Sequence, residues 1–322
     1  MKIVITGVSG FVGGYLVNHI LEQDPTTEIY GLDIVVAPPN SSLASVSYYQ
    51  LDMFDDRALE SVLKSINPDY IIHLASFSSV SASWDNPVSS FKNNTNIFLN
   101  LVESVRSNTI RCRILSVGSS EQYGVVRIAD LPLDETIHPN PTSPYAVARV
   151  AQENLSLIYA RAFNMDIVCT RSFNHIGPGQ TGNFLVSSLG KQFAQIRMNE
   201  RKTIHVGTLS VIRDFLDVRD VVRAYWMLLQ QGKSGEVYNI CSGQGKSVRD
   251  IIELYAEVTS LQHNVEINRD LQRPIENQAI VGSNKKIVEN IGWKPEIDIR
   301  NSLRDIFEYW LNKPAQGSVL LS

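Results

Sequence analysis

Residues Lys2 to Asp33 constrain this chain more than any other stretch. Lys2-Ile3-Val4-Ile5-Thr6 is apolar nearly throughout, as a strand covered on both faces of a parallel sheet must be. Gly7, Gly10 and Gly13 follow at once. The helix after them carries Val12, Leu16 and Ile20 beside Tyr15, Val17 and Leu21, an apolar face suited to packing on a sheet. A second strand, Glu28-Ile29-Tyr30-Gly31-Leu32-Asp33, ends in a carboxylate.

Each part has a physical task. Gly7 permits the tight turn out of the strand, Gly10 lets backbone approach a pyrophosphate, and Gly13 allows close helix–strand contact. The first helical N–H groups, from Phe11 and Val12 onward, and the positive end of the helix dipole then face phosphates. Asp33 lies about 20 residues past the last glycine, where an acid hydrogen-bonds the adenosine ribose of a dinucleotide. The alternative is that Asp33 only caps the strand end. A carboxylate there repels a 2′-phosphate, and no Lys or Arg occurs between Lys2 and Arg57 to attract one. NAD(H) is therefore favoured, with NADP(H) as the alternative.

At 322 residues the chain can form one large domain or two interleaved ones. A formal net charge of −4 offers no basic field for nucleic acid. Cys112, Cys169 and Cys241 sit in apolar strand-like runs without metal-ligand spacing, so they read as core residues and no metal is expected. Neither a secretory signal nor a run of roughly 18 apolar residues is present, which predicts a soluble cytoplasmic protein.

Further strands are expected at 46–52, 70–75, 113–117, 166–171 and 237–241, with helices at 58–66, 87–106, 144–163 and 218–231. That alternation predicts an α/β fold, a Rossmann-type doubly wound parallel sheet with ligands at the carboxyl ends of its strands. Residues 1–172 are the expected NAD-binding domain, with segments near 204–242 returning to it. Residues 173–322 mainly form a smaller, interleaved substrate-binding lobe, ending in an aperiodic stretch, 314–322, expected to be a mobile tail.

Leu74-Ala75-Ser76 ends the fourth strand and Gly118-Ser119-Ser120-Glu121 ends the fifth. Small residues there let a cofactor lie across the sheet, although serines also serve ordinary turns. Pro144 suits a first helical turn, and Tyr145 and Arg149, four apart, share one helical face. A phenol with a fixed cation beside it has its ionised form favoured. It can then trade a proton with a carbonyl or alcohol while nicotinamide trades the hydride.

Together these units resemble the extended short-chain dehydrogenases/reductases that modify nucleotide sugars, over the chain up to about residue 312. Three segments are similar, within that group, to the reductases of GDP-4-keto-6-deoxy-D-mannose, which form GDP-D-rhamnose. They are Gly118-Ser119-Ser120-Glu121-x-Tyr123-Gly124, Phe173-Asn174-His175-Ile176-Gly177-Pro178-Gly179-Gln180 and Arg213-Asp214-Phe215-x-Asp217-Val218-Arg219-Asp220. Tyr238-Asn239-Ile240-Cys241-Ser242-Gly243 and Gln272-Arg273-Pro274 add to the match.

The resemblance implies roles at matching positions. Tyr145 would protonate the C4 ketone and Ser119 would hydrogen-bond the same oxygen. Asp52, with Met53 beside it, would contact adenine, while Leu74, Ala75, Ser76 and Asn96 would help seat the cofactor. Ser78, Ser120, Glu121, Asn174, Arg213 and Arg273 would face the GDP-sugar, the arginines neutralising its diphosphate. Pairing of Arg213 with Asp214 or Asp217 is the alternative. His73, mid-strand, reads as a core histidine, and His175 is placed to line the pocket. A homodimer through the Tyr145 helix and the helix at 87–106 is also implied.

One departure stands out. The group's motif is Tyr-x-x-x-Lys, and Arg149 stands where the lysine belongs. Its guanidinium keeps the charge but is planar and bulkier, so it is expected to preserve the electrostatic part and disturb the lysine's bond to the nicotinamide ribose. Leu99 and Asn100 replace a common Gly-Thr, and Ser172 a common proline. Two other readings stay open: a GDP-mannose 4,6-dehydratase or 4-epimerase with Glu121 as base, and a weakly active accessory protein. The missing NADP-type basic residues and the Ile-Gly-Pro-Gly-Gln run after Phe-Asn-His favour the reductase.

Overall fold

Parallel strands this apolar need helices on both faces, and the chain supplies them in turn. The computed structural model describes residues 1–36, 43–271 and 277–313. Strand and helix alternate through β1 (Lys2–Thr6), α1 (Phe11–Gln23), β2 (Glu28–Asp33), β3 (Val46–Gln50), α2 (Asp56–Ile66), β4 (Tyr70–His73), α3 (Val80–Asp85), α4 (Pro87–Ser107), β5 (Arg113–Ser119), α5 (Pro144–Phe163) and β6 (Asp166–Ser172). Then come β7 (Asn174–Ile176), α6 (Leu185–Arg197), β8 (Thr203–Val206), β9 (Ile212–Asp217), α7 (Val218–Gln231) and β10 (Val237–Ile240). The last elements are β11 (Gly245–Ser247), α8 (Val248–Thr259), β12 (Asn264–Ile267), β13 (Ala279–Ile280), α9 (Lys285–Ile291) and α10 (Ile299–Asn312).

Seven strands form one all-parallel sheet in the order β10-β6-β5-β4-β1-β2-β3. Strand order reverses between β1 and β4, which opens a crevice at their carboxyl ends. One face is covered by α1 and α7 through Leu16, Val17, Ile20, Val221, Tyr225 and Leu228. On the other lie α2, α4 and α5, with Leu59, Leu63, Phe98, Leu101 and Val102 fully buried. Each such side chain is worth roughly 1.5–3 kcal/mol of burial, so the sheet and its helices are a strong frame for its strand ends.

The smaller lobe is built from short strands. β9 pairs with β7 and β13 in parallel and with β11 antiparallel, and β8 pairs with β12. Around them α6, α8 and α10 enclose Leu189, Phe193, Ile251, Tyr255, Leu303 and Ile306. Between 204 and 242, α7 and β10 return to the central sheet, whereas β8 and β9 stay in this lobe. β7, β11 and β13, of two or three residues, carry too little alternation to be read from sequence. Residues 314–322 and Gln272-Arg273-Pro274 lie outside the described residues. No described helix is long and apolar enough to cross a membrane.

Candidate functional site

The three glycines of the first loop do different work. Gly7 has φ +69°, and a Cβ there would stand 2.7 Å from Ala75 Cα. A Cβ on Gly13 would stand 2.0 Å from the Val8 carbonyl oxygen, so α1 is seated directly on the exit of β1. At Gly10 an added Cβ would meet Gly7 O alone, at 3.1 Å, a tight contact but far milder than those at Gly7 and Gly13. Helix α1 starts there with no side-chain cap and no acid in its first turn, which leaves the leading N–H groups to an anion. At the end of β2, Asp33 Oδ2 accepts the Ser9 N–H at 2.9 Å. An uncapped helix start, a glycine at its entry and a carboxylate beside the loop fit a dinucleotide.

The neighbouring strand ends complete this edge. Asp52 is exposed and accepts the Phe54 N–H at 2.9 Å, while Met53 is buried. The Met53 carbonyl accepts from Asn100 Nδ2 at 3.0 Å, so the departure at Asn100 ties α4 to this loop. Leu74, Ala75 and Ser76 are half-buried after β4, and the Ala75 N–H donates to Thr6 Oγ1 at 3.2 Å. Ser78 and Asn96 are exposed. Asn94, not singled out from sequence, is fully buried and clasps Phe77 by both its N–H and its C=O, at 3.1 and 3.2 Å. Its signal was a polar side chain at helical spacing from Phe98 and Leu101 on an apolar face.

Tyr145 and Arg149 meet in the first turns of α5, both nearly buried at 6 % and 4 % exposure. Ser143 caps the helix by accepting the Ala146 N–H at 3.1 Å, and Pro144 occupies the first turn. Arg149 Nε–H donates to the Tyr145 hydroxyl oxygen at 3.2 Å, and the guanidinium lies 5.3 Å from the phenol ring centre. Nη1 donates to Gln152 Oε1 at 2.6 Å and to Val117 O at 3.2 Å.

Ser119 ends β5, buried, and its Oγ accepts the Glu121 N–H at 3.2 Å. The Ser119 N–H donates to Gln122 Oε1, Gln122 Nε2 donates to Glu153, and Arg171 clasps Glu153 through two bonds of 2.8 and 2.9 Å. Ser120 is buried in the following turn and Glu121 is half-buried beside it. None of Gln122, Glu153 and Arg171 was picked out from sequence, because their meeting depends on β5, α5 and β6 lying side by side.

The Phe-Asn-His run reaches back over the start of α1. Tyr15 OH donates to Pro178 O at 2.8 Å, and Gln180 Nε2 donates to His175 O at 2.9 Å. His175 stands edge-on to Tyr225, and burial pushes its pKa down to about 4. His73 is in the core as expected, with Nδ1 2.9 Å from Thr6 Oγ1. Burial, aided by the charge of Arg149, pushes its pKa down to about 3. Both Nε2 atoms are buried and without a hydrogen-bond partner. At Ser172 the hydroxyl pairs with Tyr225 OH at 2.8 Å.

On the substrate side, Asn174 Nδ2 donates to Asp214 O at 3.1 Å. The Asp214 carboxylate accepts Ser242 N–H and O–H, Gly243 N–H and Gly282 N–H, and burial still pushes its pKa up to about 6. Asp217 is held by Arg219 at 2.8 Å and Ser302 at 2.6 Å. Arg213 instead directs Nη1 to Ile212 O and Asn277 O, both at 2.9 Å. Asn277 directly follows 272–276, so Arg213 lies where the segment containing Arg273 rejoins the described chain.

A family profile described as GDP-mannose 4,6 dehydratase matches residues 4–306. GDP-6-deoxy-D-mannose reductase of Pseudomonas aeruginosa is 33 % identical, the alignment covering 96 % of this chain and 97 % of the relative. GDP-6-deoxy-D-talose 4-dehydrogenase of Aggregatibacter actinomycetemcomitans is 29 % identical over 91 % of this chain and 92 % of its own. Among solved structures, RMD from Pseudomonas aeruginosa complexed with NADPH superposes with a TM-score of 0.85 at 32 % identity, covering 96 % and 98 % of the two chains. These findings bear out the resemblance drawn from the motifs. The chain belongs to the GDP-mannose 4,6-dehydratase family, a branch of the extended short-chain dehydrogenases/reductases.

Proposed function

We propose that the chain reduces the C4 ketone of GDP-4-keto-6-deoxy-D-mannose to give GDP-D-rhamnose, with Tyr145 as proton donor. The observation that carries this reading is the buried Arg149 Nε–H aimed at the Tyr145 hydroxyl oxygen at 3.2 Å, at the carboxyl edge of the sheet. Reduced nicotinamide, when bound, supplies the hydride. Tyr145 gives its proton to the ketone oxygen as charge develops there, and the Arg149 N–H supports the negative charge left on the phenol. Ser119 Oγ already accepts the Glu121 N–H, so its own proton is available to the same ketone oxygen.

Gly7, Gly10, Phe11, Val12, Gly13, Asp33, Asp52, Met53, Leu74, Ala75, Ser76 and Asn96 are the proposed cofactor residues. The stretch from Lys2 to Arg57 with no intervening Lys or Arg, together with Asp33, supports NAD(H) over NADP(H). Ser78, Ser120, Glu121, Asn174, Arg213 and Arg273 are proposed to hold the GDP-sugar. Residues 1–172 with α7 and β10 would form the cofactor lobe of a cytoplasmic homodimer. In support of the dimer, α4 and α5 expose Val88, Phe91 and Val147 around an apolar groove.

Incubation with GDP-4-keto-6-deoxy-D-mannose and NADH or NADPH, following loss of reduced cofactor, tests the reading. Oxidation with NADH, faster than with NADPH, is expected. Conversion of GDP-mannose to a 4-keto product without net cofactor use would sink it in favour of a dehydratase.

A further inference from the structure

We propose that Gln152 is a positioning residue that makes Arg149 a working substitute for the family's lysine. It pins one guanidinium nitrogen so that the other two serve the Tyr145 phenol and the nicotinamide ribose. The inference rests on the reading of Tyr145 as proton donor and adds a residue to it.

A lysine has one nitrogen on a flexible stem, whereas a guanidinium is a rigid plane with three nitrogens in fixed relation. Fixing any one of them orients the others. Here Nη1 is fixed, by Gln152 Oε1 at 2.6 Å and Val117 O at 3.2 Å. That places Nε on the phenol oxygen. Nη2 makes no hydrogen bond among the described residues, so it is the nitrogen left for a ligand. The lysine's two tasks are thus divided between Nε and Nη2, and the ribose contact that the sequence put at issue has a donor.

Gln152 is itself held in one orientation. Its Nε2 donates to Ser116 Oγ at 2.9 Å and to Val117 O at 3.2 Å, and Ser116 Oγ is 2.9 Å from Ser156 Oγ. A carbonyl only accepts and a guanidinium only donates, so one setting of the amide satisfies both neighbours. Gln152 and Ser156 are essentially fully buried, and water cannot readily replace a lost acceptor there. Gln152 lies one helical turn from Arg149, so the sequence could have flagged it once the arginine was noticed.

A double-mutant cycle tests the proposal, using NADH binding by fluorescence titration alongside steady-state kinetics. Q152L is expected to lower kcat about 10-fold and weaken NADH about 5-fold, with sugar KM little changed. In the R149K background, which has no Nη1 to pin, Q152L should cause no further loss in either quantity. Equal losses in both backgrounds, or no loss from Q152L alone, would overturn the proposal. Q152M, of similar length and volume, replaces Q152L if thermal unfolding shows the latter misfolded. Should the wild-type chain bind NADH yet fail to reduce the sugar nucleotide, the reductase reading falls, and the NADH titrations still decide on Gln152.

Discussion

The glycine loop and the Tyr145–Arg149 pair flank the same strand edge but are built by opposite means. The loop is backbone against backbone: Gly7 against Ala75, and Gly13 against the Val8 carbonyl, each too close for a Cβ. The pair is side chain against side chain, with Arg149 held by groups from α5 and β5. Steric demands of the first kind tolerate no substitute. Those of the second kind can be met by a different residue if its neighbours change with it, and Arg149 beside Gln152 is such a case.

The largest effect should come at the pair. Tyr145→Phe removes the proton donor and leaves the loop untouched, so kcat should fall by about 10²–10⁴-fold while NADH affinity stays within about twofold. Retained turnover would break the contrast by removing chemistry from this end. The next effect separates the glycines. Gly13→Ala should destabilise the fold by about 3 kcal/mol, read by urea unfolding, because backbone must move. Gly10→Ala should cost less stability than Gly13→Ala, because only Gly7 O at 3.1 Å must give, yet weaken NADH about 10-fold, since a side chain there would stand where backbone approaches the pyrophosphate. A smaller shift is expected from Asp33→Asn, which should weaken NADH about 5-fold and narrow the NADH/NADPH difference.

A further effect, on stability alone, is in the acid response. His73 and His175 stay neutral in the folded chain, with pKa values near 3 and 4, and regain ordinary values on unfolding. Below about pH 6.5 the unfolded chain therefore binds more protons, and each histidine takes stability away as pH falls toward 4. Asp214, raised to about 6, has the opposite sign, gaining its proton first in the folded chain. His175→Phe should therefore make the decline between pH 6 and 4 shallower by about 1 kcal/mol per pH unit, measured by urea unfolding at each pH. An unchanged slope would show that His175 is protonated within the fold.

The contrast also explains what could be read without coordinates. The β1–loop–α1–β2 unit, the helices at 144–163 and 218–231, and the placement of Ser119, Tyr145 and Arg149 were all legible, because each follows from local periodicity or a short motif. Gln122, Glu153 and Arg171 were not, since they meet across β5, α5 and β6; Asn94 and Gln152 carry only helical spacing as a signal, and their roles depend on the loop at Phe77 and on the unusual Arg149. The short strands β7, β8, β11, β12 and β13, and the six-residue β9 that most of them pair with, escaped for another reason. Their pairing in the smaller lobe is set by long-range packing around Phe193 and Tyr255, which short segments do not encode by themselves.

The most direct test of the central claim follows the hydride itself. NADH carrying deuterium on the reactive carbon is supplied with GDP-4-keto-6-deoxy-D-mannose, and the sugar product is examined for label. Deuterium at C4 of a GDP-6-deoxyhexose with the wild-type chain, and none with Tyr145→Phe, is the predicted result. Label absent from C4 while substrate is consumed, or equal labelling by both proteins, would contradict it.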